Sequence, residues 1–250
     1  MKEIHELSKT ELNNIKLIIF DVDGVLVPRG TNIKQEGCIT TLETKYVLTK
    51  QIDQISRLSE LGYLINISSG RGLYMLQEVF RDILDFISIT YENGSGTWYK
   101  GKIYQHFNSY DHLKDLFPIL KKIKHPNIKG WEPKEFIITI HCKDRVPEIE
   151  EALSDKKDLY ILWNGEAYDI GVKDLQTKGH GVLEIMKLFN LRKENIMAIG
   201  DNYNDKELLE QAGIKITADK TRLPGDFCVQ IGGECLPAEA LMEQIIKVKS

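Results

Sequence analysis

Cysteine is scarce in this chain, and its scarcity closes off two readings. The four cysteines, Cys38, Cys142, Cys228 and Cys235, lie far apart with no CxxC pair among them. Neither a zinc site nor a disulfide framework is expected, and a reducing compartment suits the chain. Basic excess is missing too: 33 Lys and Arg stand against 37 Asp and Glu, a formal net charge of -4. That excludes the electrostatic footprint of a nucleic-acid binder. No apolar run approaches the ~18 residues a membrane span needs, and the opening "MKEIHELSKTELNNIK" lacks the apolar core of a signal peptide. The expectation is a cytoplasmic monomer or homodimer that binds neither nucleic acid nor membrane. Repeats and low-complexity tracts are absent. With 42% hydrophobic and 28% charged residues over 250 positions, the chain has enough length for one large domain or two modest ones.

What is present is a recurring unit: a short Ile/Val/Leu run, a polar turn, then a stretch with apolar residues at three-to-four spacing. "KLIIFDVDGVLV" opens the series, and "TKQIDQISRLSELG" reads as a helix with Ile52, Ile55, Leu58 and Leu61 on one face and Gly62 as its C-terminal cap. "YLINISSGRG" leads into "LYMLQEVFRDIL", "FISITYENG" follows, and near the end "NIMAIGDNYND" leads into "KELLEQAG" and the strand-like "IKIT". Parallel strands joined by crossover helices predict an α/β, doubly wound, mostly parallel Rossmann-like sheet. Between its halves, residues 108–173 read as an inserted α+β cap domain, which leaves 1–107 and 174–250 for the core domain. In "EFIITIHCK" the period of two puts Phe136, Ile138, Ile140 and Cys142 on one face and Thr139, His141 and Lys143 on the other. "YDIGVK" alternates likewise, and "GTWYKGKIY" reads as a hairpin around Lys100 and Gly101.

The chemistry sits at the strand ends. In open parallel sheets ligands bind beyond the carboxyl ends of the strands, where loops converge and helix N-termini point inward. Asp21 and Asp23 follow the first strand; Ser68, Ser69, Gly70 and Arg71 follow the second; Asp201, Asn204 and Asp205 follow "IMAIG". Lys178, ahead of a helix, can join them. So many carboxylates in one place raise one another's pKa or require a cation, and Mg²⁺ suits one or two carboxylates plus a substrate phosphate. One aspartate can then attack phosphorus, a lysine and the metal can neutralise the phosphoryl oxygens, and a second carboxylate can move protons.

At these residues the sequence resembles the haloacid dehalogenase (HAD) superfamily of Mg²⁺-dependent phosphatases. "DVDGVL", "SSGR", the Lys-Gly of "TKGHG" and "GDNYND" are similar to its four motifs, in the same order. The insert between the second and third resembles the type II cap, subtype B, of sugar phosphatases, trehalose- and sucrose-phosphatases and phosphomannomutases. The resemblance implies Asp21 as nucleophile and Asp23 as general acid/base, with Asp21, Asp23 (through its carbonyl), Asp201 and Asp205 at the metal. It implies Ser69, Gly70, Lys178 and Asn204 around the phosphate, with Arg71 and Asn93 at the mouth; Thr139, His141 and Lys143 are candidates for substrate contact from the cap. "PRGTNIKQEGCITTLETKY" is longer than the usual link after the first motif and reads as a local insertion.

The function expected is phosphomonoester hydrolysis of a small phosphorylated metabolite, a sugar phosphate first among them, through an aspartyl-phosphate. A phosphomutase shares that intermediate and returns the phosphoryl group to a sugar hydroxyl. A non-catalytic phosphate-binding or signalling module is the third reading, against which Asp23 argues: a phosphoacceptor alone needs no acid/base beside it.

Overall fold

The structure, a computed structural model, describes residues 1–229 and 235–249. In chain order the elements are β1 (Lys2–Glu3), β2 (Leu17–Asp21), β3 (Asn32–Glu36), β4 (Ile39–Glu43), α1 (Thr49–Glu60), β5 (Leu64–Ser68), α2 (Leu73–Val79), β6 (Ile87–Tyr91), β7 (Gly96–Tyr99) and β8 (Lys102–Gln105). Next come α3 (Tyr110–Leu113), α4 (Leu116–Lys121), β9 (Ile128–Glu132), β10 (Ile138–Cys142), α5 (Pro147–Ala152), β11 (Leu159–Trp163) and β12 (Ala167–Val172). The chain finishes with α6 (Lys178–Phe189), β13 (Ile196–Gly200), α7 (Lys206–Glu210), β14 (Ile214–Thr217), β15 (Phe227–Cys228) and α8 (Pro237–Lys249).

Two compact units emerge: Met1–Gly30, Lys45–His106 and Thr177–Ser250 form the first, Thr31–Thr44 and Phe107–Gln176 the second. Among its described residues the first unit carries a sheet in the order β1-β15-β14-β13-β2-β5-β6-β7-β8. The strands from β1 to β6 pair in parallel, and β6-β7-β8 close one edge as an antiparallel meander. β2, β6 and β13 are buried at every position, because crossover helices on both faces leave a central parallel strand no solvent side. Hence the continuous apolar runs. The β7–β8 turn takes left-handed backbone at Lys100 (φ 47) and Gly101 (φ 77), the twist a tight hairpin requires.

α1 departs from the expected face. Its buried residues are Gln51, Gln54, Ile55 and Leu58, with Ile52 and Leu61 only half-buried. Gln51 Nε2 donates to Leu26 O (2.8 Å) and Gln54 Nε2 to Glu239 O (3.3 Å). Backbone acceptors thus make a polar side chain tolerable where periodicity alone places an aliphatic one.

The second unit holds an antiparallel sheet in the order β11-β12-β10-β9. Ile138, Ile140, Cys142, Tyr168 and Ile170 turn one face onto Leu113, Leu116, Leu120, Val146 and Ile149 from the helices and the loop before α5. Residues Thr31–Thr44 fold into the β3–β4 hairpin and group with this unit, whereas a division at 107 and 174 leaves them in the first. Ile33 of the hairpin lies where a Cβ on Gly130 would meet it at 3.1 Å, and Gln35 Oε1 accepts from Trp131 N at 3.1 Å. The long link after the first motif is therefore a structured part of the α+β insert.

Candidate active site

The register of the central strands assembles the site. β2 pairs with β5 so that Asp21 faces Ser68, and with β13 so that Phe20 faces Ile199. Asp21, Ser69 and Asp201 therefore leave three adjacent strands at the same end of the sheet. Beyond β2 the chain turns tightly: Val22 O accepts from Leu26 N and Val27 N, both at 2.9 Å. Gly24 adopts φ +87, and a Cβ there would run into Asp201 Oδ2, so only glycine lets the two loops approach.

Three carboxylates, Asp21, Asp201 and Asp205, are buried and present oxygen atoms all within 4.8 Å of one another. Lys178 Nζ donates to Asp21 Oδ1 at 2.5 Å and to Asp205 Oδ1 at 2.6 Å. Asp205 Oδ2 accepts from the backbone N–H groups of Asp201 (3.0 Å) and Asn202 (3.1 Å), which fixes both the turn and the carboxylate. Lys178 opens α6, whose N-cap Thr177 accepts from His180 N at 3.2 Å. The helix start is seated by glycines: a Cβ on Gly181 would lie 2.8 Å from Gly94 Cα, and one on Gly94 would meet Gly181 N at 2.8 Å.

The charges are in tension. Burial, with Asp205 beside it, pushes the Asp21 carboxyl up to about 8 against the pull of Lys178. Burial also raises Asp201, opposed by Arg29. Burial works against the Lys178 ammonium as well, yet Asp205 and Asp21 hold its pKa above the ordinary lysine value. Crowded anionic oxygens of this kind are the donor set a hard divalent cation takes. The residues present fit such an ion.

Around the cluster, Arg71 grips Asp23 with Nε on Oδ2 (3.0 Å) and Nη2 on Oδ1 (2.6 Å). Ser69 Oγ accepts from Arg71 N at 3.2 Å, and Asn93 N donates to Ser69 O at 3.1 Å. Asn93 itself takes left-handed backbone, φ 53. Gly70 and Asn204 are half-buried in their turns. Sequence reasoning missed Arg29, whose Nη2 lies 2.7 and 2.6 Å from the two oxygens of Asp201. It stands six residues beyond Asp23 in a stretch without periodicity, so no spacing signals it.

The remaining candidates belong to the second unit. Thr139 Oγ1 donates to Asp169 Oδ1 at 2.6 Å, and His141 Nε2 lies 2.9 Å from Glu132 Oε2. Both are buried. Lys143 lies just past the end of β10, whose register shifts between His141 and Cys142, and is exposed where the other two are buried. Glu132 also pairs with Lys134 Nζ at 3.2 Å. Burial opposes its charge, but Lys134 and His141 outweigh that and hold its carboxyl at about 2.

With this geometry in place, the model of the haloacid dehalogenase-like hydrolases matches residues 18–129 and 129–220. The chain belongs to that family. Phosphoglycolate phosphatase 1 of Saccharolobus solfataricus is 26% identical to this hydrolase over 203 residues, covering 81% of this chain and 82% of the relative. A 5-amino-6-(5-phospho-D-ribitylamino)uracil phosphatase of Bacillus subtilis is 24% identical, covering 81% and 83%. Among solved structures, a HAD-superfamily phosphatase of Bacteroides thetaiotaomicron superposes with a TM-score of 0.69 at 16% identity, over 96% of this chain and 97% of its own. A Thermoplasma acidophilum protein gives 0.68 at 18% identity, over 94% and 98%. The fold is the family's Rossmann-like core with an inserted cap domain, and family membership together with the buried aspartate cluster supports phosphatase activity. Among the described residues no helix is long and apolar enough to cross a membrane.

Proposed function

We propose that this hydrolase is a Mg²⁺-dependent phosphomonoesterase of the type II, subtype B cap branch, acting on a small phosphorylated metabolite. The observation that carries the reading is the buried triad Asp21, Asp201 and Asp205 with Lys178 bridging two of its members. Asp21, Asp201 and the carbonyl of Asp23 would hold the ion, with Asp205 supporting it. Bound there, Mg²⁺ supplies Lewis-acid stabilisation of charge on the phosphoryl oxygens.

The chain's own groups divide the remaining work. Asp21 attacks phosphorus, forming an O–P bond as the ester O–P bond breaks, and Asp23 gives its proton to the departing alkoxide. In the second step Asp23 takes a proton from water, the water oxygen attacks the aspartyl-phosphate, and phosphate leaves with the Asp21 carboxylate restored. Lys178 neutralises developing charge throughout, while Ser69, Gly70 and Asn204 hold the phosphoryl group. Arg71 orients Asp23 and lines the mouth with Asn93. Within the cap, Thr139, His141 and Lys143 are the candidates for contact with the leaving group.

For the substrate, relatives named for phosphoglycolate and for a phosphorylated ribityl compound support a phosphate on a short, polar carbon skeleton. Sugar phosphates fall within that class. The test is phosphate release from a panel of phosphorylated sugars and acids, with Mg²⁺ and with chelator, for wild type and Asp21→Asn. Activity that requires both the ion and Asp21 is expected. Full activity in Asp21→Asn would overturn the mechanism, and an isomerised sugar phosphate in place of free phosphate would identify a mutase.

A further inference from the structure

Four carboxylates and three cations meet at the strand ends, and the cations are not equivalent. Lys178 spans two carboxylates, Asp21 and Asp205. Arg71 holds Asp23, which the metal would meet through its carbonyl. Arg29 sits on Asp201 alone, taking both of its oxygens. Asp201 is nearly buried, at 8% side-chain exposure, while Arg29 is 41% exposed and reaches in from outside.

Arg29 Nη2 contacts both oxygens of Asp201, the same oxygens through which Asp201 would meet a small hard cation that demands close, regular coordination. A guanidinium beside a divalent ion is also disfavoured, since like charges at that range repel strongly in a partly desolvated place. An ion bound there would compete with Arg29 for Asp201, its single carboxylate partner among these four, whereas Lys178 is shared between two carboxylates. Arg29 cannot go far. Pro28 restricts the backbone before it and Gly30, at φ +114, turns the chain after it. A guanidinium displaced from Asp201 would stay within one side-chain length of it and next to solvent, given the 41% exposure of Arg29.

We propose that Arg29 is handed from Asp201 to the substrate, where it pairs with a second anionic group, a carboxylate one or two carbons from the phosphate ester. The assignment rests on the phosphomonoesterase reading above. Lys178, Ser69 and the ion already serve the phosphoryl oxygens in that reading, so the arginine charge is surplus to the phosphate. A planar guanidinium that has just released one carboxylate is matched in shape and charge to another. Arg29 is then both a competitor of the metal and a selector of acidic leaving groups.

Calorimetric titration with Mg²⁺ alone, for wild type and Arg29→Gln, reads the first half. The variant should bind the ion about ten-fold more tightly, the size of an ordinary coupling between two sites. Steady-state kinetics with phosphoglycolate and with ethyl phosphate, nearly its equal in size without the carboxylate, read the second. Arg29→Gln should raise KM for phosphoglycolate about ten-fold with little change in kcat, and leave KM for ethyl phosphate as it was. Unchanged or weaker Mg²⁺ binding overturns the proposal, as does an equal rise in KM for both esters. If wild type cleaves no phosphomonoester, that failure belongs to the enzymatic reading, and the Mg²⁺ titration alone still decides whether Arg29 competes for Asp201.

Discussion

Lys178 Nζ lies 2.5 Å from Asp21 Oδ1 and 2.6 Å from Asp205 Oδ1, so one ammonium ties the end of β2 to the turn after β13. All three side chains are almost wholly buried. Removing the cation leaves two desolvated carboxylates facing each other. Lys178→Met should therefore lower stability by about 3 kcal/mol in urea unfolding, as for other buried pairs that lose one partner, and Mg²⁺ should restore part of that loss. Equal stability of the two proteins without metal would show that the carboxylates are protonated and that the bridge matters little.

Metal binding is itself a stability measurement. An ion that binds only the folded protein adds about 2.7 kcal/mol at one hundred times its dissociation constant. For a protein of this size that is a rise in Tm of roughly 5–10 °C. Wild type should show the rise with Mg²⁺ and lose it with chelator, and Asp201→Asn should show little of it. A full rise in Asp201→Asn would place the ion elsewhere.

Gly94 tests the seat of the helix that carries Lys178. At φ +86, with Thr177 O and Gly181 N in the space a Cβ would fill, alanine meets both backbone strain and collision. Gly94→Ala should cost about 2 kcal/mol or more in thermal unfolding, and kcat should fall as Lys178 is pushed off its carboxylates. Loss of stability with kcat intact would separate the seat from the site.

Glu132 governs acid behaviour in the second unit. Its folded carboxyl, held at about 2 by Lys134 and His141 against burial, lies below the ordinary 4.5. A depressed carboxylate contributes stability that is present above the unfolded value and lost as pH falls through the folded one. Wild type should thus exceed Glu132→Gln by about 3 kcal/mol at neutral pH. The gap should close between about pH 4.5 and pH 2 in acid unfolding followed by circular dichroism. A gap that persists at pH 2 would mean the glutamate acts through shape rather than charge.

Much of this was legible in the sequence because it was local. A fully buried parallel strand reads as an unbroken apolar run, and a polar cluster at its end has few other reasons to exist, so the strand-end residues around Asp21, Ser69 and Asp201 stand out from pattern alone. The period of two likewise separated Ile138, Ile140 and Cys142 from Thr139 and His141. What escaped depends on distant partners. Gln51 is buried because Leu26 O accepts from it, residues 31–44 are a hairpin because β9 takes its side chains, and Arg29 matters only because Asp201, 172 residues later, lies against it. Thr139 and His141, read as candidates for substrate contact, also pair with Asp169 and Glu132, partners that no local pattern signals.

The placement of β2 between β5 and β13 also bears on how the protein comes to exist. During synthesis β2 acquires one neighbour early, from residues 64–68, and then keeps a bare hydrogen-bonding edge until residues 196–200 emerge. At ribosomal speeds that is roughly ten seconds, during which an apolar strand with an open edge invites pairing with other chains. The complete aspartate cluster and protection from aggregation therefore arrive together, with a strand encoded in the last quarter of the sequence. A truncation before β13 leaves β2 with an unpaired edge and removes the turn that carries Asp201 and Asp205.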